Sequence, residues 1–421
     1  MLRQFLFALF FTVISPSLLL VAGDWTSFRG SDGSGKSPDT GLLKQWDEGG
    51  PRLLWTIDSI GFGYSNVAVA EGKIYITGNA EREGKILSML FCLDKEGNKI
   101  WENDNGLAHT DIREYPGTRA TPTIDDGFVY DVSPLGEITC FDAQTGRKIW
   151  DRNPLKEYEA PTEPWLLGNS VIIERDNVIY PLGGPKHIAI ALDKKTGKTV
   201  WEAPPVAQPR GVVVGSTTPY SFDFEGIRVV TVLSIATVEG LDAKTGKNLF
   251  SIPFRNNSRT NCTMPIYHEG HLFLTTGYGF GARLFRLTKN ADGTLRPAEV
   301  WAEQRFDNQH GGVVLVDDHV YGTTFNGSWG SINFRTGEIG YLARVGGKGS
   351  IHYADGLLYG LTEDAKTVLL IKPEPREFVL VSQFELPNET EGKSWAHPVV
   401  IGGRLYLRHA QYLYCYDVKA E

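Results

Sequence analysis

Short apolar runs alternate with tight polar turns along this chain, and the pattern returns about every fifty residues. Three segments show the unit plainly: Asp142, Gly146 and Trp150; Asp193, Gly197 and Trp201; Asp242, Gly246 and Phe250. In each, three residues separate the acid from the glycine, and three more separate the glycine from the aromatic. Asp94, Gly97 and Trp101 repeat the unit with a turn one residue shorter, and Asn333, Gly337 and Tyr341 keep the spacing with Asn for Asp. Trp301 closes a longer turn, and Trp55 precedes them all. Thr-Gly or Glu-Gly between two apolar runs predicts a hairpin whose glycine takes a positive φ, with the acid accepting hydrogen bonds from the turn's own amides. The aromatic falls on the returning strand, where it is large enough to wedge between neighbouring sheets.

A second hairpin precedes each of these units. Its turns fall at Gly72, Gly127, Asn177, Gly226, Gly270, His319, Gly356 and Gly403, each followed by a strand rich in apolar or aromatic residues. Two hairpins per repeat make a four-stranded sheet, and eight such sheets predict an all-β, eight-bladed β-propeller over residues 24–421 as a single domain. A solenoid suits the pattern less well, because the repeats show no helix period and no polar end caps. The last repeat stops after its third strand, so the segment from Arg52 to Asp58 is expected to supply the fourth, with Trp55 as its aromatic. That closure pairs the N- and C-terminal strands and hides two sheet edges. Repeat seven is the most degenerate, since the stretch from Lys372 to Leu380 has lost both the acid and the glycine of the motif.

Composition narrows the function classes. The 421 residues are 41% hydrophobic and 22% charged, as in an ordinary globular chain. Fifty acidic against 42 basic residues give a net charge of −8, which argues against nucleic-acid binding. Residues 1–23 stand apart: Arg3, an apolar block from Phe5, and small residues up to Gly23 form the pattern of a cleaved secretory signal. An uncleaved anchor from Phe5 to Ala22 is the alternative; Pro16 and the lack of a following basic stop signal count against it. The mature chain is therefore expected to be periplasmic or secreted, with no membrane span. Cys92, Cys140 and Cys415 occupy the repeat position held elsewhere by Ala191 and Gly240, a slot for a small residue. They and Cys262 are expected to be free thiols, because equivalent points on separate blades are too far apart to bridge.

The repeat built on Asp, Thr-Gly and Trp resembles that of the pyrroloquinoline quinone (PQQ)-type β-propellers. The opening stretch Asp24 to Gly35, followed by Leu53 to Asp58, is similar to the start of secreted bacterial PQQ-like propeller proteins. The resemblance implies the fold throughout the mature chain, but it spans two function classes. These are quinoprotein alcohol or sugar dehydrogenases and the scaffold lipoprotein of outer-membrane protein assembly.

A propeller presents ligands at the mouth of its central channel, where the innermost strands begin. Alignment on the inner turns brings Tyr64, Asn66, Arg119, Asn261, His310, Lys348, Trp395 and His397 to that ring. Cations beside aromatic faces suit a planar anion or a peptide carboxylate, and Tyr64 and Trp395 would also suit a sugar ring. The bland alternative is that these residues satisfy strand ends and channel waters. A PQQ dehydrogenase requires more: cationic partners, a flat platform and oxygen ligands for Ca²⁺. Asp and Glu are absent from the aligned ring, adjacent cysteines are lacking, and no CxxCH haem motif occurs; Asp111 and Glu114 lie in a loop that could lean over it. The expected function is a binding or scaffolding module for an envelope protein or a small anionic or carbohydrate ligand, with no catalytic set, metal or cofactor. A PQQ- and Ca²⁺-dependent dehydrogenase is the alternative.

Overall fold

A computed structural model describes residues 23–108, 117–161, 167–206, 213–214, 216–258, 260–364, 366–387 and 392–421. The expected leader, apart from Gly23, lies outside these residues, as do Asp111 and Glu114. The described chain forms eight four-stranded antiparallel sheets. Seven are built from consecutive strands. The eighth has the order Arg52–Ile57, Tyr412–Asp417, Arg404–His409, Val399–Ile401, so the N-terminal strand completes the C-terminal blade. Trp55 stands opposite Cys415 in that pairing, as the motif predicts. The arrangement is an eight-bladed β-propeller, and the described residues contain a single helical turn, Pro154–Glu157. No helix among them is long and apolar enough to cross a membrane.

Local chemistry sets each blade. The inner turn of blade 1 places Glu71 at φ 52° and Gly72 at φ 72°, the paired positive dihedrals of a twist-matched two-residue hairpin. In the outer turn, Asp142 Oδ1 accepts the amides of Gln144 and Thr145 and the Thr145 hydroxyl, at 2.8–3.1 Å. Asp193 and Asp242 do the same in their own blades. The small residue of the motif faces the aromatic across the strand pair: Cys92 opposite Trp101, Cys140 opposite Trp150, Ala191 opposite Trp201 and Gly240 opposite Phe250. A β carbon on Gly240 would collide with the Phe250 ring, so this blade takes glycine at the position. Cys92, Cys140 and Cys415 are buried free thiols, and Cys262 is half-buried.

The aromatics couple the blades. Trp55, Trp101, Trp150, Trp201 and Trp301 each donate Nε1–H to the carbonyl one residue past the acid or Asn of the next blade's outer turn. The acceptors are Lys95, Ala143, Lys194, Ala243 and Phe334, at 3.0–3.2 Å. Each indole also lies against the turn glycine of that neighbour. Glycine is needed at Gly246 twice over: its φ is +70°, and a β carbon would lie 2.6 Å from the Trp201 ring.

Blade 7 departs from the rule. Ser382 stands where the motif aromatic stands elsewhere, opposite Leu370 and just before the bulge. Trp46, from the irregular segment before the first strand, takes its place. It is 4% exposed, its amide bonds Ser382 Oγ at 2.9 Å, and its ring packs 5.3 Å from Phe384 and 5.9 Å from Tyr359. The same core cluster reaches Tyr414 and Tyr416, so Trp46 joins blade 7 to blade 8.

The opening segment forms a strap across the ring axis. Trp25 exchanges both main-chain bonds with Val69 in blade 1, and the Ile124 amide of blade 2 donates to Thr26 O at 2.8 Å. Gly33 abuts Tyr220 and Met264 at blades 4 and 5. Gly35 and Ser37 pair with Tyr353 in blade 7. Arg29 reaches from the strap to the Val313 carbonyl in blade 6 and to His397 before blade 8. These contacts close one end of the channel.

Candidate functional site

The described residues just before the innermost strands line the end of the channel away from the strap. Arg408, 2% exposed, braces the loop that carries Tyr64, donating to Gly61 O at 3.1 Å, Ser65 Oγ at 2.8 Å and Thr77 O at 2.6 Å. Tyr64 is thereby set against Trp395, with ring centroids 4.8 Å apart and planes at 34°. The Arg119 guanidinium lies 5.4 Å from the Tyr64 centroid, and burial lowers its pKa. On the other side, His310 lies 6.0 Å from Trp395. Five predicted residues therefore come together here: Tyr64, Arg119, His310, Lys348 and Trp395. The aromatic rings pack on one another as a row and do not spread into a flat platform.

Glu363 ties the cluster together, and it was not among the expected residues. Its Oε1 accepts Trp395 Nε1–H at 3.0 Å and lies 3.3 Å from Lys348 Nζ, while Oε2 is 3.8 Å from Lys393. Lys348 also donates to Gln309 Oε1 at 2.6 Å and sits 5.0 Å from the Phe325 centroid. Nearby, Asp307 spends its two oxygens on the amides of Gly279 and Phe325, at 2.9 and 3.1 Å. Glu363 escapes alignment on strand starts because it follows the second strand of blade 7, Leu357–Thr362.

The remaining expected residues lie deeper. His397 is 6% exposed; its Nδ1 faces Arg29 Nη1 at 3.2 Å and its Nε2 faces His310 O at 2.9 Å. A guanidinium only donates, so the His397 proton sits on Nε2 and the ring is neutral. Burial, then the positive charge of Arg29, pushes its pKa down to about 3. Asn66 accepts the His397 amide at 2.8 Å through Oδ1, while its buried Nδ2 has no partner among the described residues. Asn261 stands apart from the cluster. It is 1% exposed, and its amide nitrogen is spent on Ser234 O and Phe254 O at 2.7 and 3.3 Å. Among the described residues, no three His, Cys, Asp or Glu side chains gather as a metal cage.

Comparison with known proteins agrees with this architecture. A family model described as "Outer membrane protein assembly factor BamB" matches residues 39–218 and 189–378. The chain is 31% identical over 108 residues to the outer membrane protein assembly factor BamB of Xanthomonas campestris, covering 25% of each. It is 25% identical over 131 residues to 1-butanol dehydrogenase (cytochrome c) of Thauera butanivorans, covering 30% of this chain and 16% of that protein. The matched stretches thus span a quarter or less of those relatives. The crystal structure of BamB from Moraxella catarrhalis superposes with a TM-score of 0.60 at 14% identity, over 87% of this chain and 99% of that one, a likeness of fold.

Proposed function

Since the chain belongs to the family of outer membrane protein assembly factor BamB, we propose that it is an exported binding and scaffolding propeller of the cell envelope. Its mouth receives an anionic group, either a carboxylate of an envelope protein or that of a small ligand. The observation that carries this reading is the Tyr64–Trp395–His310 row flanked by Arg119, Lys348 and Lys393, against the two carboxylates of Glu363 and Asp307 among the described residues there. On a chain of net charge −8, that local excess of cations is a directed feature that favours an approaching anion.

The relatives include dehydrogenases as well as assembly factors, so PQQ with Ca²⁺ is the second reading. The described side chains of the mouth do not fit it. Ca²⁺ takes about six to eight oxygen ligands. Both oxygens of Glu363 face an indole N–H and two ammonium groups, and both of Asp307 are held by main-chain amides.

The test is capture from envelope extract by the mature chain and by an Arg119→Ala/Trp395→Ala double variant of unchanged thermal midpoint. A reproducible partner, reduced at least tenfold with the variant, is the expected result. Recovery of no partner, or of one undiminished by the variant, contradicts the proposal.

A further inference from the structure

The closed end of the channel carries a cavity of about 490 Å³, walled by the strap on one side and by the inner strands of blades 2 to 5 on the other. We infer that this cavity is a binding site for a neutral saccharide ring. It lies at the opposite end of the channel from the aromatic row and does not rest on the role proposed for that row.

One wall is aromatic. Phe222 and Tyr267 stack with centroids 4.1 Å apart and planes at 12°, and Tyr220 continues the wall 6.1 Å from Phe222. Such a surface suits the C–H face of a pyranose. The strap can lie close to this wall because residue 33 is glycine: a β carbon there would meet Met264 and Tyr220 at 3.1 Å, and its φ is +70°.

The opposite wall is polar, and its charge excludes an anion. Of the lining side chains, Asp32, Asp125 and Glu174 are acidic, against Lys36 and Arg228. Arg228 is already spent: it donates to both oxygens of Glu174 at 2.9 and 3.0 Å and to Asp223 at 3.0 Å. Asp125 is likewise held by Lys194 at 2.7 Å. Asp32 differs. Its Oδ1 accepts the Ser34 amide at 2.9 Å, and the side chain is exposed at the cavity rim. A carboxylate oxygen with spare acceptor capacity at the rim, beside the Ser31 and Ser34 hydroxyls, matches the donor-rich hydroxyls of a sugar. The volume falls within the usual range for small-molecule sites, roughly 300–1,000 Å³.

The experiment is calorimetric titration of the purified mature chain with maltotriose, cellotriose and triacetylchitotriose, with trigalacturonate as the anionic control. At least one neutral trisaccharide is expected to bind with a Kd below about 1 mM. That affinity falls at least tenfold with Tyr267→Ala and with Asp32→Ala. Asp32 is exposed, so its variant keeps the thermal midpoint; Ser31→Trp, which fills the cavity from an exposed loop, carries the test if Tyr267→Ala fails to fold. Failure of all three neutral sugars to bind overturns the inference. So does binding that survives Asp32→Ala and Ser31→Trp, or trigalacturonate binding as tightly as the best neutral sugar.

Discussion

Trp201 in blade 3 donates its indole N–H to the main-chain carbonyl of Ala243 in blade 4, at 3.2 Å, while its ring lies on Gly246 of the same turn. One residue thus joins two sheets by a directional bond and by apolar contact. Trp201 is 8% exposed. Trp201→Ala is expected to cost about 3–5 kcal/mol. Trp201→Phe keeps much of the contact but leaves the Ala243 carbonyl unpaired and is expected to cost about 1–2 kcal/mol. Urea unfolding of the two variants measures both figures, and equal losses would remove the hydrogen bond from the explanation.

Trp46 gives the opposite contrast. It fills the blade 7–8 junction, yet its buried Nε1 has no partner among the described residues. Trp46→Phe removes an unsatisfied donor along with some volume, so the change is expected to stay within about 1 kcal/mol. Trp46→Ala empties the junction and is expected to cost about 3–5 kcal/mol. Hydrogen exchange should then rise in the outer strand of blade 7, Val379–Glu385, more than in other outer strands.

Arg29 latches the strap. Its donors reach Val313 O, Ser34 O and His397 Nδ1 in the interior. Arg29→Met leaves the buried acceptors Val313 O and His397 Nδ1 unpaired, at about 1–3 kcal/mol each before relaxation. Protease cleavage within residues 24–37 should accelerate in the variant while the blades stay resistant; a strap equally protected in both proteins would show that the latch does not hold it.

Three histidines make stability depend on pH. His310, His352 and His397 have pKa values pushed down to about 3, by burial first and then by nearby positive charge, Lys348 for His310 and Arg29 for the other two. The unfolded chain takes up their protons near pH 6.5 and the folded chain does not, so their stabilisation is complete above 6.5 and lost as pH falls toward 3. Each contributes a slope of about 1.4 kcal/mol per pH unit within that window. Asp131 acts in the other direction: burial raises it to about 7, so it favours the fold at low pH and loses that contribution between about 3.9 and 7. Unfolding free energies between pH 4.5 and 6 should therefore rise with pH, more steeply in Asp131→Asn and less steeply in His352→Gln. Parallel profiles for all three proteins would contradict the assignment.

The ring was legible in the sequence because its determinants are local. An acid, a glycine and an aromatic at fixed spacing encode a turn and the wedge that meets the next blade, and the unfinished last repeat points to Arg52–Ile57 as its missing strand. The strap and Trp46 were not legible as such, since an irregular segment has no period to read. The degenerate seventh repeat was nonetheless a signal, because a blade without its aromatic needs one from elsewhere. At the mouth, alignment on strand starts found Tyr64, Arg119, His310, Lys348 and Trp395, whose positions follow from the repeat. It missed Glu363 and Arg29, which arrive from a different strand end and from the strap. It also included Asn261, whose side chain folds back onto Ser234 and Phe254.

The most direct measurement is addition of PQQ with Ca²⁺ to the purified protein, followed by thermal unfolding and dye-linked oxidation of primary alcohols and aldose sugars. A mouth whose described carboxylates, Glu363 and Asp307, are already committed to Lys348, Lys393, Trp395 and main-chain amides predicts an unchanged midpoint and no turnover. A saturable rise in midpoint together with turnover lost in Arg119→Ala would contradict the binding-module account and make the chain a quinoprotein dehydrogenase.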